Sequence, residues 1–293
     1  MGTSSAYGGP KGATPLVPTW LEPDETSPPA ESEPSDDQTA ADGPPPDVTL
    51  PAPLTGPLLS AAPDPGRFTA ARTNFSRFAR SGGSDGASLG RALSRYVSTS
   101  TGGASRAAQR MGSARISGSR LLRFFSDTQS RGSREALRSL ALESLVGRPI
   151  EEVFLGLTDY ICPEGGTIDE GIARDAFVET IADLATLGIT DLDGMTEDQM
   201  QTVFELYATH AIEARILNDI GSKTVTLPTD VRAAERVQAQ LRDFVRRSVG
   251  DALHAARTAI QGLTSDRVLS FVGEIYEAAF GILRALGEAE GTA

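Results

Sequence analysis

One cysteine, Cys162, and two histidines, His210 and His254, are the soft ligands and neutral-pH bases available in 293 residues. A single cysteine permits no disulfide framework and no thiolate metal cluster. Two histidines fall short of the usual zinc sites. No metal and no cofactor is expected. Cys162 precedes Pro163 at a predicted helix end and reads as a buried structural thiol rather than a nucleophile. His210 shares a predicted helix with Glu213 and Arg215 but has no nucleophile at a useful spacing. The pairs Asp169/Asp175 and Glu179/Asp183 fit an exposed helix face better than an acid–base pair, since nothing apolar raises one pKa above the other. Gly165-Gly166-Thr167 precedes a helix, where backbone N–H groups can receive an anion. Glu164, Asp169 and Glu170 crowd that end with negative charge, and a P-loop lysine is missing. No catalytic constellation emerges, so the chain is not expected to be an enzyme. Were it one, Asp175, His210 and Cys162 would be the first residues to test.

A different chemistry is available at the start of the chain. Removal of Met1 would leave Gly2 with a bare α-amine, whose reference pKa of about 7.7–8.0 leaves a neutral fraction near neutral pH. A glycine amine carries no Cβ and can enter a narrow active site as a nucleophile. The first twenty residues, MGTSSAYGGPKGATPLVPTW, hold four glycines and the one tryptophan of the chain. Tyr7 and Trp20 offer contact area to a partner's groove at low entropic cost. Composition alone favours an ordinary disordered terminus.

The elements that would position such groups are distributed unevenly. Residues 1–66 hold 15 of the 18 prolines and a net charge of −9. Such a stretch cannot recover its ordering entropy by burial and reads as an extended tether. Residues 67–134 hold thirteen arginines and two aspartates, a net charge of +11. Arg106, Arg110, Arg115, Arg120 and Arg123 are spaced to put several guanidiniums on one helix face. Leu121, Leu122, Phe124 and Phe125 would anchor that helix. Three readings of this block compete: a DNA- or RNA-binding arm, docking onto the chain's own acidic regions, and docking onto an acidic partner. The opposite charges already present in the molecule favour protein docking over nucleic acid. No RNA-binding or zinc-finger signature accompanies the arginines.

Residues 135–293 carry a net charge of −14 and the apolar periodicity of helices. Leu137, Leu140, Ala141 and Leu145 predict one helix, with Gly147 closing it. Pro149 suits a first helical position. Ile150, Val153, Phe154, Leu157 and Ile161 follow at helical spacing. Thr167 to Glu170 and Thr196 to Gln199 are capping boxes opening two more helices. The first carries Ile172, Phe177, Ile181 and Leu184. Lys223 to Leu227 reads as a short extended piece. Thr229 or Asp230 caps a long amphipathic stretch to about Gln261, with Gly250 as a possible bend. A last helix spans about Ser265 to Leu286. The expected architecture is an all-α C-terminal domain preceded by a long disordered or low-complexity region. Its division is 1–22 (a Gly/Ser peptide), 23–66 (an acidic Pro-rich tether), 67–133 (a basic segment with short helices) and 134–293 (the helical domain). No apolar run approaches the ~18 residues of a membrane span and no secretory signal opens the chain, so a cytoplasmic protein without membrane contact is expected.

Longer stretches carry a likeness. The first twenty residues resemble the N-terminus of QatB proteins of the Qat antiphage defence system. So do LESLVGRPIEEVFLGLTDYICPEGGTIDEGIARDAFVETIADL, MQTVFELYATHAIEARILNDIGSKTVTLP and VQAQLRDFVRRSVGDAL. The likeness covers residues 1–20 and most of 104–290. It implies a place beside a KAP-type ATPase, a QueC-like enzyme and a TatD-like nuclease. QueC enzymes form an amide on a carboxylated 7-deazaguanine, with ammonia as the ordinary nucleophile. The resemblance therefore implies that Gly2 accepts the base from the QueC-like partner, with Tyr7, Gly8, Gly9 and Trp20 as groove contacts. The alternative is an adaptor whose arginines bring phage DNA or RNA to the nuclease.

Overall fold

The computed structural model describes residue 64 and residues 66–163, 165–220, 228–256 and 264–292. Among the described residues there is no strand. The helices are α1 (Thr69–Arg80), α2 (Gly86–Arg95), α3 (Ala104–Gln109), α4 (Gly112–Arg131), α5 (Ser133–Ser139), α6 (Ile150–Ile161), α7 (Ile168–Thr186), α8 (Glu197–Ile220), α9 (Val231–Ala255) and α10 (Val268–Thr292). A π-turn, Tyr96–Ser100, continues α2.

Local signals set many of these ends. Thr167 accepts from the Glu170 backbone N–H while the Glu170 carboxylate receives the Thr167 N–H, which completes the first capping box. Thr196 and Gln199 make the second in the same way. Asp230 is the cap of α9, accepting from the Ala233 N–H. Pro149 stands one residue before the first helical position of α6. Elsewhere the ends differ from the periodicity. The helix expected through Leu145 stops at Ser139. Ala141 takes a left-handed φ of 59°. Its N–H reaches the Arg138 carbonyl and the Leu142 N–H reaches the Leu137 carbonyl. That is a Schellman closure with alanine where glycine is usual. Leu145 then turns inward over Gly156, where a Cβ would collide with its side chain. Helix α9 ends at Ala255, and the piece expected over Lys223 to Leu227 lies outside the described residues.

Packing does not separate residues 67–133 from 134–293. One core cluster includes Phe75, Phe78, Leu93 and Phe124 from the arginine-rich part, and Phe154, Phe177, Tyr207 and Phe280 from the remainder. An aromatic run crosses the boundary: Phe125 to Phe154 at 6.2 Å between centroids, Phe154 to Phe177 at 5.8 Å, Phe177 to Tyr207 at 6.3 Å. Each such pair adds roughly 0.5–1.5 kcal/mol beyond its buried area. Leu121, Phe124 and Phe125 are buried and Leu122 partly so, because one face of α4 packs against α6, α7, α8 and α10.

The tightest joint lies between α2 and α10. Gly90 on α2 meets Gly287 and Gly291, four residues apart on α10. A Cβ at Gly90 would stand 2.8 Å from the Gly287 carbonyl oxygen, and one at Gly287 2.6 Å from that of Gly90. Small residues let the backbones approach. Arg91 seals the joint by donating to the Gly291 carbonyl at 2.9 Å.

Candidate functional site

The arginine block is where composition concentrates charge, and its side chains divide by destination. Arg110 donates to both carboxylate oxygens of Asp219, at 2.8 and 2.9 Å. The Tyr96 hydroxyl donates to the same carboxylate at 3.0 Å. Arg72 donates to the Ile220 carbonyl at 2.5 Å and the Asp219 carbonyl at 3.1 Å, which caps the C-terminal end of α8. Cations are favoured there by the helix dipole and by unsatisfied carbonyls. Arg215, on α8 itself, stands 3.4 Å from Asp219 and donates to Asp169 at 2.8 Å. Asp169 also accepts from the Ser113 backbone N–H at the start of α4.

Phe68 closes the cluster. It stacks on Tyr96 at 6.0 Å, with the guanidinium carbons of Arg67, Arg72 and Arg110 at 4.8, 5.6 and 5.8 Å from its ring centroid. Desolvation disfavours the phenolate of Tyr96, and the adjacent Asp219 charge adds to this, so its hydroxyl is pushed far above the usual tyrosine range. The Asp219 carboxylate ties the π-turn after α2, the end of α3 and α8 together through the side chains of Tyr96, Arg110 and Arg215.

Two other block arginines also turn inward. Arg120 donates to the Tyr160 carbonyl at 3.1 Å. The guanidinium of Arg115 lies across Gly273, where a Cβ would come within 2.9 Å of it. Arg106 and Arg123 are exposed. The five arginines thus do not form one solvent-facing stripe. Gly2, Tyr7, Gly8, Gly9 and Trp20 lie outside the described residues.

Cys162, His210 and Asp175 lie in three different settings. Cys162 is buried, donates to the Ala173 carbonyl at 3.4 Å, and has its thiol pushed up to about 11, chiefly by desolvation. His210 is buried on α8 and bonded to Asp183 on α7 at 2.8 Å. Asp175 is exposed on α7. Two carboxylates depart from the exposed-face expectation: Asp169 and Asp183 are half-buried and paired with Arg215 and His210. Their partners come from α8, which their own local sequence does not reveal. Among the described residues, no three His, Cys, Asp or Glu side chains gather to hold a metal ion. No described helix is long and apolar enough to cross a membrane.

Sequence reasoning missed the Asp219 cluster. Tyr96 and Asp219 are 123 residues apart, and Arg110 and Asp219 are 109 apart. The only available signal was the opposed charge of the two regions. Residues 102–283 match the family model described as QatB, Qat anti-phage system associated protein QatB. No curated protein and no solved structure matches the chain.

Proposed function

Because the chain belongs to the QatB family, and is thereby a component of the Qat antiphage defence system, we propose that it acts there as scaffold and protein substrate of a QueC-like partner enzyme. In this reading Met1 is removed and the neutral Gly2 amine attacks the ATP-activated carboxyl group of a 7-deazaguanine. An amide forms, the activating group leaves and the amine proton is lost. Residues 23–66 serve as the tether that raises the effective concentration of the tip at the enzyme. The helical body holds the partner. Tyr7, Gly8, Gly9 and Trp20 contact the groove that admits the tip.

The observation that favours a substrate over a catalyst is the state of the reactive side chains. The thiol of Cys162 is buried and hard to ionise, and His210 is buried against Asp183. Nucleophilic catalysis needs an ionisable or base-activated group within reach of solvent. The inward course of Arg110, Arg115 and Arg120 supports own-chain docking of the basic block over a nucleic-acid arm.

The test is the intact mass of the protein purified with and without the QueC-like enzyme co-expressed. A partner-dependent added mass on the N-terminal peptide, lost in Gly2→Pro, is the expected result. An unmodified terminus in both samples rejects the acceptor role. In that event, binding of nucleic acid at about 50 mM salt, with the steep salt dependence of phosphate contacts, would become the leading reading.

A further inference from the structure

Helices α6 and α7 form an antiparallel hairpin whose register can be read from its contacts. Arg174 donates to Asp159 at 2.8 Å and to the Cys162 carbonyl at 3.0 Å, while Phe154 stacks on Phe177. One turn back from Asp159 on α6 is Leu155. One turn on from Arg174 on α7 is Val178. Residues four apart share a helix face, so the Arg174–Asp159 pair places Leu155 beside Val178 on the outer side of the hairpin. Leu155 is 58% exposed and Val178 48% exposed. Neither belongs to the core stripe of its helix, which in α6 is Ile150, Val153, Phe154, Leu157 and Ile161.

The surroundings of this ridge are acidic. Glu152 and Asp159 flank Leu155 along α6, and Asp175 and Glu179 flank Val178 along α7; all four are exposed. The two cations nearest in register, Arg148 and Arg174, are already engaged with Glu152 at 3.6 Å and Asp159 at 2.8 Å. An apolar centre within a charged rim is the anatomy of a protein-binding patch. The rim's sign selects the occupant. The chain's own first 63 residues do not suit it: they hold nine carboxylates and one lysine, Lys11. A symmetric pairing of two copies through this ridge would set carboxylate against carboxylate.

We infer that the Leu155/Val178 ridge is the docking surface for a second protein that presents an apolar side chain ringed by lysine and arginine. Resting on the proposed function, that protein is the QueC-like enzyme that receives the N-terminus. The ridge is the fixed contact, and the tip is the reacting one.

The experiment co-expresses the full chain with the QueC-like enzyme and reads co-elution, dissociation constant and N-terminal mass together. Two variants are compared with wild type: Leu155→Asp with Val178→Asp, and Glu152→Lys with Asp175→Lys. All four positions are exposed, and the thermal transition of each variant reports its folding. The expected result is a dissociation constant raised at least tenfold in both variants, with the modified fraction falling in parallel. A modified wild-type terminus with unchanged binding by both folded variants overturns the ridge and leaves the acceptor role standing. An unmodified terminus with ridge-dependent co-elution rejects the acceptor role and keeps the docking surface. Failure of the wild-type chain to bind the enzyme, or self-association abolished by the same variants, also overturns this assignment.

Discussion

Arg110 closes on both carboxylate oxygens of Asp219 across 109 residues of sequence, at 2.8 and 2.9 Å. The pair joins the short helix α3 to the far end of α8 and brings Tyr96 and Arg215 to the same anion. The basic block is held by the acidic part of its own chain at this point.

Removing that anion strands three polar groups in a poorly hydrated place. Asp219 is 6% exposed in its side chain. Breaking a buried charge pair from one side typically costs about 3–5 kcal/mol. Asp219→Ala is expected to lower the denaturation free energy by roughly that amount. Arg106→Ala, at an exposed arginine of the same block, is expected to stay within about 0.5 kcal/mol of wild type. Urea unfolding of the two variants side by side checks the difference. Equal stability would mean that Asp219 does not tie the helices together.

The glycine seam makes a second, steric prediction. A Cβ at Gly90 meets the backbone of α10, and one at Gly287 meets that of α2. Gly90→Ala and Gly287→Ala are each expected to destabilise by about 1–3 kcal/mol, the usual cost of forced overpacking. Gly171 is helical as well, yet a Cβ there meets nothing within 4 Å. Gly171→Ala should therefore stabilise by roughly 0.5–1 kcal/mol through backbone entropy and helix propensity. Thermal melts of the three variants give opposite signs if the seam is a true close approach.

Cys162 supplies a pH signature. Its thiol titrates near 9 when exposed and is pushed up to about 11 in the fold by desolvation. The folded state therefore holds its proton more tightly than the unfolded state. The thiol's contribution to stability is complete below pH 9 and is lost as pH rises toward 11. Cys162→Ala should flatten the fall in stability between pH 9 and pH 11, measured by denaturant titration. Burial of Tyr96, Tyr207 and Tyr276 adds further loss at higher pH, which the variant leaves in place. Iodoacetamide at pH 8 should label Cys162 rapidly in urea and slowly in buffer; fast labelling of the native chain would contradict its burial.

The acceptor role has a variant test of its own. Cys162→Ala should leave the partner-dependent mass on the N-terminal peptide intact, since its side chain takes no part in the reaction proposed for Gly2 or in the docking ridge. Loss of the added mass in this variant, with folding preserved, would move the reactive group into the helical body.

Much of the fold was determined by sequence alone, because helices are local. The spacing of Ile150, Val153, Phe154 and Leu157 specified α6, and the capping boxes at Thr167 and Thr196 fixed where α7 and α8 begin. The burial of Cys162 was legible from its place before Pro163 at a helix end, whereas the Asp183 partner of His210, on another helix, was not. Tertiary structure decided what depends on distant residues. The π-turn and helices between Thr69 and Arg131 become core only when α8, α9 and α10 cover them. The composition of this stretch, rich in Arg, Ser and Gly, gives a weak local signal. Arg110 and Asp219 meet only in the folded chain, as do Gly90 and Gly287. The place of Leu155 beside Val178 follows from a hairpin register that neither helix contains by itself. Local periodicity states which face of a helix is apolar; only packing determines which apolar residues remain outside and what charges surround them.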